Sequence, residues 1–262
     1  MAERMNELTG KEWLQNSFSI WRDLIKDPEE RSLKHPASFP KVLVEKLIRI
    51  YLKGEHKQIL DPFLGVGTTL LAAKALGHRG MGVDLNPEYC EISSKRIEAA
   101  PAVNGAEIKI VNDDSRELLK HIEPESVDLV VTSPPYWDIL NRNRTADKRE
   151  VSNYSDSESD LGNIADYEEF LDDLKAVFTQ VYVSMKPNTR CISVVMDIRK
   201  KDKFFPLHED QSRIMKEIGF ELEEYVIWDR QRDYNNMKTL GYPWVFRFNK
   251  VHEFVCIYWK RK

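Results

Sequence analysis

Cysteine is scarce in this 262-residue chain, and its placement excludes several kinds of site. The three cysteines, Cys90, Cys191 and Cys256, form no C-x-x-C pair and have no metal-ligand spacing. We therefore expect reduced, structural thiols, neither a disulfide framework nor a metal centre.

Long apolar runs are missing as well. No stretch of about 18 apolar residues occurs, and the first 13 residues have no apolar signal core, so we expect neither a membrane span nor secretion. Cytoplasmic localisation is the resulting expectation. Hydrophobic residues make up 42% and charged residues 31% of the chain, which is typical of a globular protein, and the length fits a single domain over 1–262.

The chain also has no excess of basic charge. Its net charge is −4 and its pI is near 5.9. This balance argues against a uniformly basic nucleic-acid coat, but it allows a local basic face.

The segment that organises the chain is LDPFLGVGTT, residues 60–69. The apolar residues 58–60 predict a buried strand, and residues 70–76 have the composition of a helix. Between them, Gly65 and Gly67 allow a positive φ and close approach of a ligand to the backbone, and a helix N-terminus adds unpaired N–H groups.

A second predicted strand, 80–83, ends at Asp84, about 20 residues after the glycines, where nucleotide-type sites place an acid on ribose hydroxyls. Two glycines alone are also compatible with a plain βαβ turn. A dinucleotide site would show a third spaced glycine, whereas Thr68 follows here, so the pattern indicates a different nucleotide cradle.

The string DPFLGVGTT, followed by GMGVDLNPEYCEISSKRI, closely resembles the S-adenosylmethionine (SAM) site of methyltransferases that act on exocyclic amino groups of nucleic-acid bases, the DNA N4-cytosine/N6-adenine methylase family. In that family an HPAxFP-like segment lines the methionine end of SAM, and residues 35–40 match it. The resemblance implies SAM as cofactor. The implied cofactor-binding residues are His35, Pro36, Phe39, Asp61, Phe63, Gly65, Gly67, Thr68, Asp84, Leu85, Asp114 and Ser133.

Asp114 has two interpretations. A third predicted strand, 107–111, runs into polar residues at its carboxyl end, where open α/β sheets bind ligands. Asp114 either caps a helix over 116–121 or reaches the adenine amino group, as similar family members do.

The fourth predicted strand, 127–131, leads into Thr132-Ser-Pro-Pro-Tyr-Trp137, which we interpret as the reaction motif. Two prolines lock φ and restrict the residues before them, giving a rigid arch. An aromatic amine is a poor nucleophile, so a site must accept its hydrogens and position its nitrogen. We expect the Ser133 hydroxyl and the Pro134 carbonyl to accept, Pro135 to stiffen the arch, and Tyr136 to stack on a flipped-out base.

Within the resembled family, a serine at this position is typical of cytosine-N4 enzymes, and aspartate or asparagine is typical of adenine-N6 enzymes. No cysteine follows a proline, so the chain has no candidate nucleophile for cytosine-C5 chemistry. The expected activity is N4-cytosine methylation of DNA. The alternatives are N4-cytidine methylation of structured RNA such as ribosomal RNA, adenine-N6 methylation of DNA, and a non-enzymatic SAM- or nucleic-acid-binding module.

Two polar stretches are candidates for substrate contacts. Residues 138–166 predict a mobile lid or clamp, or else a solvated insertion, and residues 229–252 interleave basic and aromatic residues, which suits phosphates and unstacked bases or simple packing under a loop. The predicted substrate-binding residues are Trp137, Arg142, Arg144, Arg199, Arg230, Arg232, Trp244 and Arg247.

The predicted architecture is an α/β fold of the Rossmann-like class I SAM methyltransferase type. It has a seven-stranded, mostly parallel sheet whose last strand is antiparallel. Helices are expected at 170–185 and 211–218, and strands at 190–196, 220–228 and 253–259.

Residues 1–40 form an N-terminal extension with the SAM-site segment. The SAM motif precedes the reaction motif, so the chain looks circularly permuted relative to many Ser-Pro-Pro-Tyr members. We expect no separate recognition domain within these 262 residues, and the sequence leaves the oligomeric state open.

Overall fold

An eight-stranded sheet forms the centre of the protein in a computed structural model that describes residues 4–33, 38–138, 160–233 and 239–262. In sheet order its strands are β1 (Ile20–Trp21), β9 (Glu221–Asp229), β10 (His252–Lys260), β6 (Met185–Val195), β5 (Val127–Thr132), β2 (Gln58–Asp61), β3 (Arg79–Asp84) and β4 (Ile108–Asn112). A separate antiparallel hairpin is formed by β7 (Ile198–Lys200) and β8 (Lys203–Phe205).

The sheet is mostly parallel, as predicted. β10 is antiparallel to both of its neighbours, β6 and β9, while the other pairs are parallel. The last strand is therefore antiparallel, and the Rossmann-like fold class is confirmed. The sheet has eight strands instead of seven because the two-residue strand β1 pairs with the end of β9.

Seven α-helices occur in the described part of the chain. They are α1 (Gly10–Asn16), α2 (Pro28–Ser32), α3 (Lys41–Tyr51), α4 (Thr68–Ala75), α5 (Pro87–Ala99), α6 (Tyr167–Ser184) and α7 (Leu207–Ile218). Short 3₁₀ helices cover Ser115–Lys120, Leu161–Asn163 and Gln231–Asp233. Their ends follow local signals: Thr9 and Glu12 form a capping box on α1, and Asn86 caps α5 through the backbone N–H of Glu88.

Two apolar clusters cover the two faces of the sheet. One cluster is built largely from α6 and α7 and includes the fully buried Phe170 and Phe178. The other cluster packs α3 against the sheet and includes Trp21 and Leu47. No helix in the ranges listed above is both long and apolar enough to cross a bilayer.

The strand order reverses between β2 and β5. Chain connections from β2 run to β3 and β4 on one side, whereas β5 leads to β6 on the other. In open α/β sheets, ligands bind outside the carboxyl ends of the strands at such a switch point. Here Thr132, at the end of β5, donates its hydroxyl hydrogen to the Asp61 carboxylate at the end of β2, with the oxygens 2.6 Å apart.

Several predicted boundaries differ from the structure. β6 begins at Met185, directly after α6, and α7 begins at Leu207 rather than at residue 211. The charged segment after β6 forms the β7–β8 hairpin. In the N-terminal extension Trp21 is buried, whereas Trp13 and Ile20 are exposed.

Candidate active site

A cleft of about 830 Å³, counted with its open mouth, lies at the carboxyl ends of β2, β3 and β5. It brings together most of the predicted cofactor residues and part of the reaction motif. The predicted residues on its wall are Phe39, Asp61, Phe63, Gly65, Thr68, Asp84, Leu85, Asp114, Ser133 and Pro135. Two motifs that are about 70 residues apart in the sequence thus face the same space, as expected from parallel strands.

The glycine turn between β2 and α4 is held by side chains from the following strand and helix. Gly65 donates its backbone N–H to Asp84 over 2.7 Å, and its carbonyl accepts from the Ser93 hydroxyl over 2.8 Å. Gly67 has a φ of 81° and is the N-cap of α4. A Cβ at Gly67 would lie 2.9 Å from the Ser93 Cβ and Oγ, so both the backbone and the space require glycine.

Asp84 is an acceptor that points into the cleft. One of its carboxylate oxygens accepts from Gly65 N–H, and the other accepts from Asn86 N–H over 2.9 Å. Burial raises the pKa of Asp84 to about 7, and the neighbouring Asp61 and Asp160 add to the rise although the two backbone hydrogen bonds oppose it. A carboxylate has about four lone-pair sites, so Asp84 can still accept from a ligand.

Asp61 and Asp160 complete an acidic cluster around the cleft. Asp61 is 1% exposed and accepts from the Thr132 hydroxyl and from Phe63 N–H. Its burial raises its pKa to about 6. Three acids near an enclosed space favour a ligand that carries positive charge.

The N-terminus of α4 offers hydrogen-bond donors on the same cleft. Within the described residues no side chain caps this helix, so its first backbone N–H groups have no side-chain acceptor there. Its first residue, Thr68, lines the cleft. Donors at a helix N-terminus suit a carboxylate. The cleft therefore fits a ligand with both a cationic and an anionic group.

The reaction motif is fixed by hydrogen bonds to β6 and β10. The Ser133 hydroxyl donates to the Val194 carbonyl over 2.9 Å, and its oxygen lies 3.1 Å from the Tyr136 hydroxyl. Tyr136 donates to the Glu253 carboxylate over 2.9 Å. With its hydrogen directed at Val194, Ser133 presents a lone pair as an acceptor on the cleft wall. Tyr136 is 5% exposed, and its stacking on a base stays a prediction.

Asp114 caps the 3₁₀ helix that follows it. Its carboxylate accepts from the backbone N–H and the guanidinium of Arg116, and Arg116 also pairs with Asp173. The capping interpretation is therefore what the structure shows. Since Asp114 also lines the cleft, its contact with adenine stays a prediction.

Two predicted substrate residues lie elsewhere than expected. Trp137 is 4% exposed, donates its indole N–H to the Ile164 carbonyl and packs against Tyr167 and Phe205, so it belongs to the core. Arg230 pairs with Glu253 and Asp233 behind the arch rather than standing free for a phosphate. Composition indicated aromatic and basic chemistry, but it could not show which of these side chains pack inward.

The remaining predicted residues are distributed as follows. Arg199 and Arg232 are exposed, Trp244 is 90% exposed and Arg247 is half-buried. Gly67 shapes the turn without lining the cleft. His35, Pro36, Arg142 and Arg144 lie outside the described residues.

The sequence predictions missed several residues of the site. Ser38, Tyr89 and Asp160 line the cleft, and Glu253 binds the tyrosine of the arch. One local signal existed for Asp160, because its side chain accepts from Gly162 N–H in an Asp-x-Gly turn. No local pattern could place Glu253, which is 117 residues away from Tyr136.

Comparison with known proteins gives the following matches. A family model described as DNA methylase matches residues 2–95 and 127–262. The type II methyltransferase M2.DpnII of Streptococcus pneumoniae is 43% identical over 86 residues, 32% of this chain and 32% of that protein. M2.LlaDCHI of Lactococcus lactis subsp. cremoris is 40% identical over 79 residues, 30% of this chain and 29% of that protein. These matches span about a third of each relative's length.

A similarity in fold extends further along the chain. The crystal structure of a SAM-dependent methyltransferase from Methanosarcina mazei superposes with a TM-score of 0.53 at 15% identity. It covers 82% of this chain and 97% of that one. At this identity the likeness concerns the fold alone.

Proposed function

The chain belongs to the DNA methylase family, and from this premise we propose that it is a SAM-dependent methyltransferase that modifies the N4 amino group of cytosine in DNA. One observation carries the proposal. The acidic glycine cleft and the Ser133 arch face the same space, and the Asp61–Thr132 hydrogen bond joins the two strands that bear them.

The residues of the cleft fit SAM by their donor and acceptor chemistry. Asp84 would accept from ribose hydroxyls, while the backbone N–H groups at the N-terminus of α4, which begins at Thr68, would bind the carboxylate of the methionine moiety. Asp61 and Asp160 would offset the positive charge of the bound molecule. When bound, SAM supplies an electrophilic methyl group on a sulfonium.

The arch would prepare the amino group of the base. Ser133 presents an acceptor lone pair because its hydrogen is used by Val194. The Pro134 carbonyl would be the second acceptor. Two acceptors orient the N–H bonds of an exocyclic amine, so that its nitrogen lone pair is directed at the electrophile. No covalent intermediate with the protein is required.

The choice of base and polymer rests on two further arguments. Serine at the first position of the arch is typical of cytosine-N4 members of the family, which favours cytosine over adenine. The matched family is described as DNA methylase, and the relatives named above are type II methyltransferases, which supports DNA rather than RNA.

An exposed aromatic loop is the candidate DNA surface. Between residues 239 and 251, Tyr242, Trp244, Phe246 and Phe248 are each more than three-quarters exposed, and Lys250 and Arg247 lie among them. Flat exposed rings beside cations suit unstacked bases and phosphates. A base-flipping enzyme needs such contacts because its target leaves the duplex stack.

The proposal is tested by methyl transfer from labelled SAM to unmethylated DNA and to RNA, followed by digestion and mass spectrometry of the nucleosides. We expect N4-methyldeoxycytidine, and we expect loss of product with Ser133→Ala while SAM still binds. N6-methyldeoxyadenosine alone would contradict the choice of cytosine. Product in RNA alone would contradict DNA, and no product in either would contradict the activity.

A further inference from the structure

Three oxygen-bearing side chains run inward from the cleft wall in a continuous hydrogen-bonded series. The Ser133 hydroxyl lies 3.1 Å from the Tyr136 hydroxyl, and the Tyr136 hydroxyl lies 2.9 Å from a carboxylate oxygen of Glu253. Ser133 lines the cleft, whereas Tyr136 and Glu253 are each 5% exposed. The series therefore connects the space for the substrate amine to a buried carboxylate.

We propose that Glu253 is the terminal proton acceptor of the methyl transfer and receives the proton through Ser133 and Tyr136. This inference rests on the function proposed above. It assigns Glu253, a residue outside both sequence motifs, a role in the reaction.

The chemistry requires an exit for one proton. When the amine nitrogen bonds to the methyl carbon and the carbon–sulfur bond breaks, the nitrogen keeps a surplus proton and a positive charge. An N–H bond then breaks as Ser133 takes that proton, the Ser133 hydrogen passes to Tyr136, and the Tyr136 hydrogen passes to Glu253. The product amine becomes neutral and Glu253 becomes a neutral carboxylic acid, so charge and atoms balance.

The geometry allows each transfer. In the resting arrangement the Ser133 hydrogen is directed at the Val194 carbonyl, but rotation about the Cβ–Oγ bond directs it at Tyr136, and either oxygen of that pair can donate. Tyr136 already donates to Glu253. A hydroxyl series of this kind moves a proton without moving any heavy atom.

Glu253 is held in position from its other side. Its second carboxylate oxygen pairs with Arg230, whose guanidinium also pairs with Asp233 over 3.2 Å and lies 4.7 Å from the centre of the Trp228 ring. Asp233 is half-exposed, so the network continues from the buried carboxylate toward solvent. The ion pairs of Arg230 with Glu253 and Asp233 fit a role in holding Glu253 better than they fit direct binding of a phosphate.

The decisive variant is Glu253→Gln. A glutamine oxygen can still accept from Tyr136, whereas a glutamine cannot take up the proton. Glu253→Gln also breaks the ion pair with Arg230, and Tyr136→Phe, which leaves that pair in place, separates the two effects. We expect the single-turnover rate of methyl transfer to fall by about 10²-fold, the usual size of an acid–base contribution. Affinities for SAM and for DNA should stay at the wild-type values. Tyr136→Phe, which interrupts the series, should show the same loss.

Glu223→Gln is the matched control. Glu223 also accepts from an arginine, Arg190, but it lies on an exposed part of β9 away from the cleft, so its variant should retain the wild-type rate. Thermal unfolding verifies that all three variants are folded.

The outcomes separate the two proposals. If the wild-type protein methylates DNA and Glu253→Gln does so at the same rate, the relay is wrong and the proposed function stands. If the wild-type protein transfers no methyl group to DNA, the proposed function fails and the relay fails with it. A loss in Glu253→Gln that is explained by weaker DNA binding in titrations also overturns the relay.

Discussion

Replacement of Asp84 by asparagine tests the cofactor site directly. The variant keeps the shape of the side chain but exchanges one carboxylate oxygen for an NH₂ group. In the wild-type protein the two oxygens accept from Gly65 N–H and Asn86 N–H at 2.7 and 2.9 Å. In either orientation of the amide, its NH₂ group faces the backbone N–H of Gly65 or of Asn86, so two donors meet. The side chain that accepts from a ribose hydroxyl also loses its negative charge.

The size of the effect follows from the lost interaction. A hydrogen bond to a charged group contributes about 1.5–3 kcal/mol, which corresponds to a SAM dissociation constant about 10- to 150-fold higher in Asp84→Asn. Stability of the free protein should change less, because the variant removes a costly buried charge while it loses one backbone hydrogen bond.

Isothermal titration calorimetry with SAM measures this effect. Asp113→Asn is the control, since Asp113 also follows a strand but pairs with His121 and does not line the cleft. Its SAM affinity should equal that of the wild type. If Asp84→Asn binds SAM as tightly as the wild type, the assignment of Asp84 is wrong.

The raised pKa of Asp84 adds a dependence on pH. A pKa of about 7 means that this group is largely protonated below neutral pH in the free protein, whereas only the ionised carboxylate accepts on both oxygens and gives charged hydrogen bonds to ribose hydroxyls. SAM affinity should therefore rise from about pH 5.5 to pH 8, and binding at pH 7 should release protons. Because the folded pKa lies above the unfolded one, Asp84 stabilises the free fold at low pH, and this contribution is lost as pH rises through 7. Equal binding enthalpies in buffers of different ionisation enthalpy would contradict the coupling.

Two further substitutions test the turn and the aromatic loop. Gly67→Ala should lower the melting temperature, because the left-handed backbone alone costs about 1–2 kcal/mol and the new Cβ meets Ser93, whereas Gly10→Ala, with no atom within 4 Å of its Cβ, should not. An unchanged melting temperature for Gly67→Ala would show that the turn adapts. Trp244→Ala should weaken DNA binding by about 1–3 kcal/mol in electrophoretic titrations without changing stability, while Trp13→Ala should bind normally. Normal DNA binding by Trp244→Ala would remove the loop from the substrate surface.

The parts of the fold that could be predicted are those with strong local signals. The strand before the glycine turn, the helix after it and the strand before the Ser-Pro-Pro-Tyr arch occur where apolar runs, glycines and prolines indicated them. Because the carboxyl ends of parallel strands meet at one sheet edge, the meeting of the two motifs also followed from the pattern.

The parts that could not be predicted depend on distant contacts. β1 is a two-residue strand, and it exists only because β9 offers it an edge. Composition marked Trp137 and Arg230 as binding residues, whereas tertiary packing uses one in the core and the other to hold Glu253. The partnership of Glu253 with Tyr136 has no sequence period or spacing from which it could be inferred.

The activity that we propose for this protein is methylation of N4 of cytosine in DNA. The most direct test is to digest DNA and RNA from cells with and without the gene and to quantify N4-methylated cytosine nucleosides by mass spectrometry. We expect N4-methyldeoxycytidine to disappear with the gene while the methylated ribonucleosides are unchanged. Loss of N4-methylcytidine from RNA alone, or of N6-methyldeoxyadenosine alone, would contradict it.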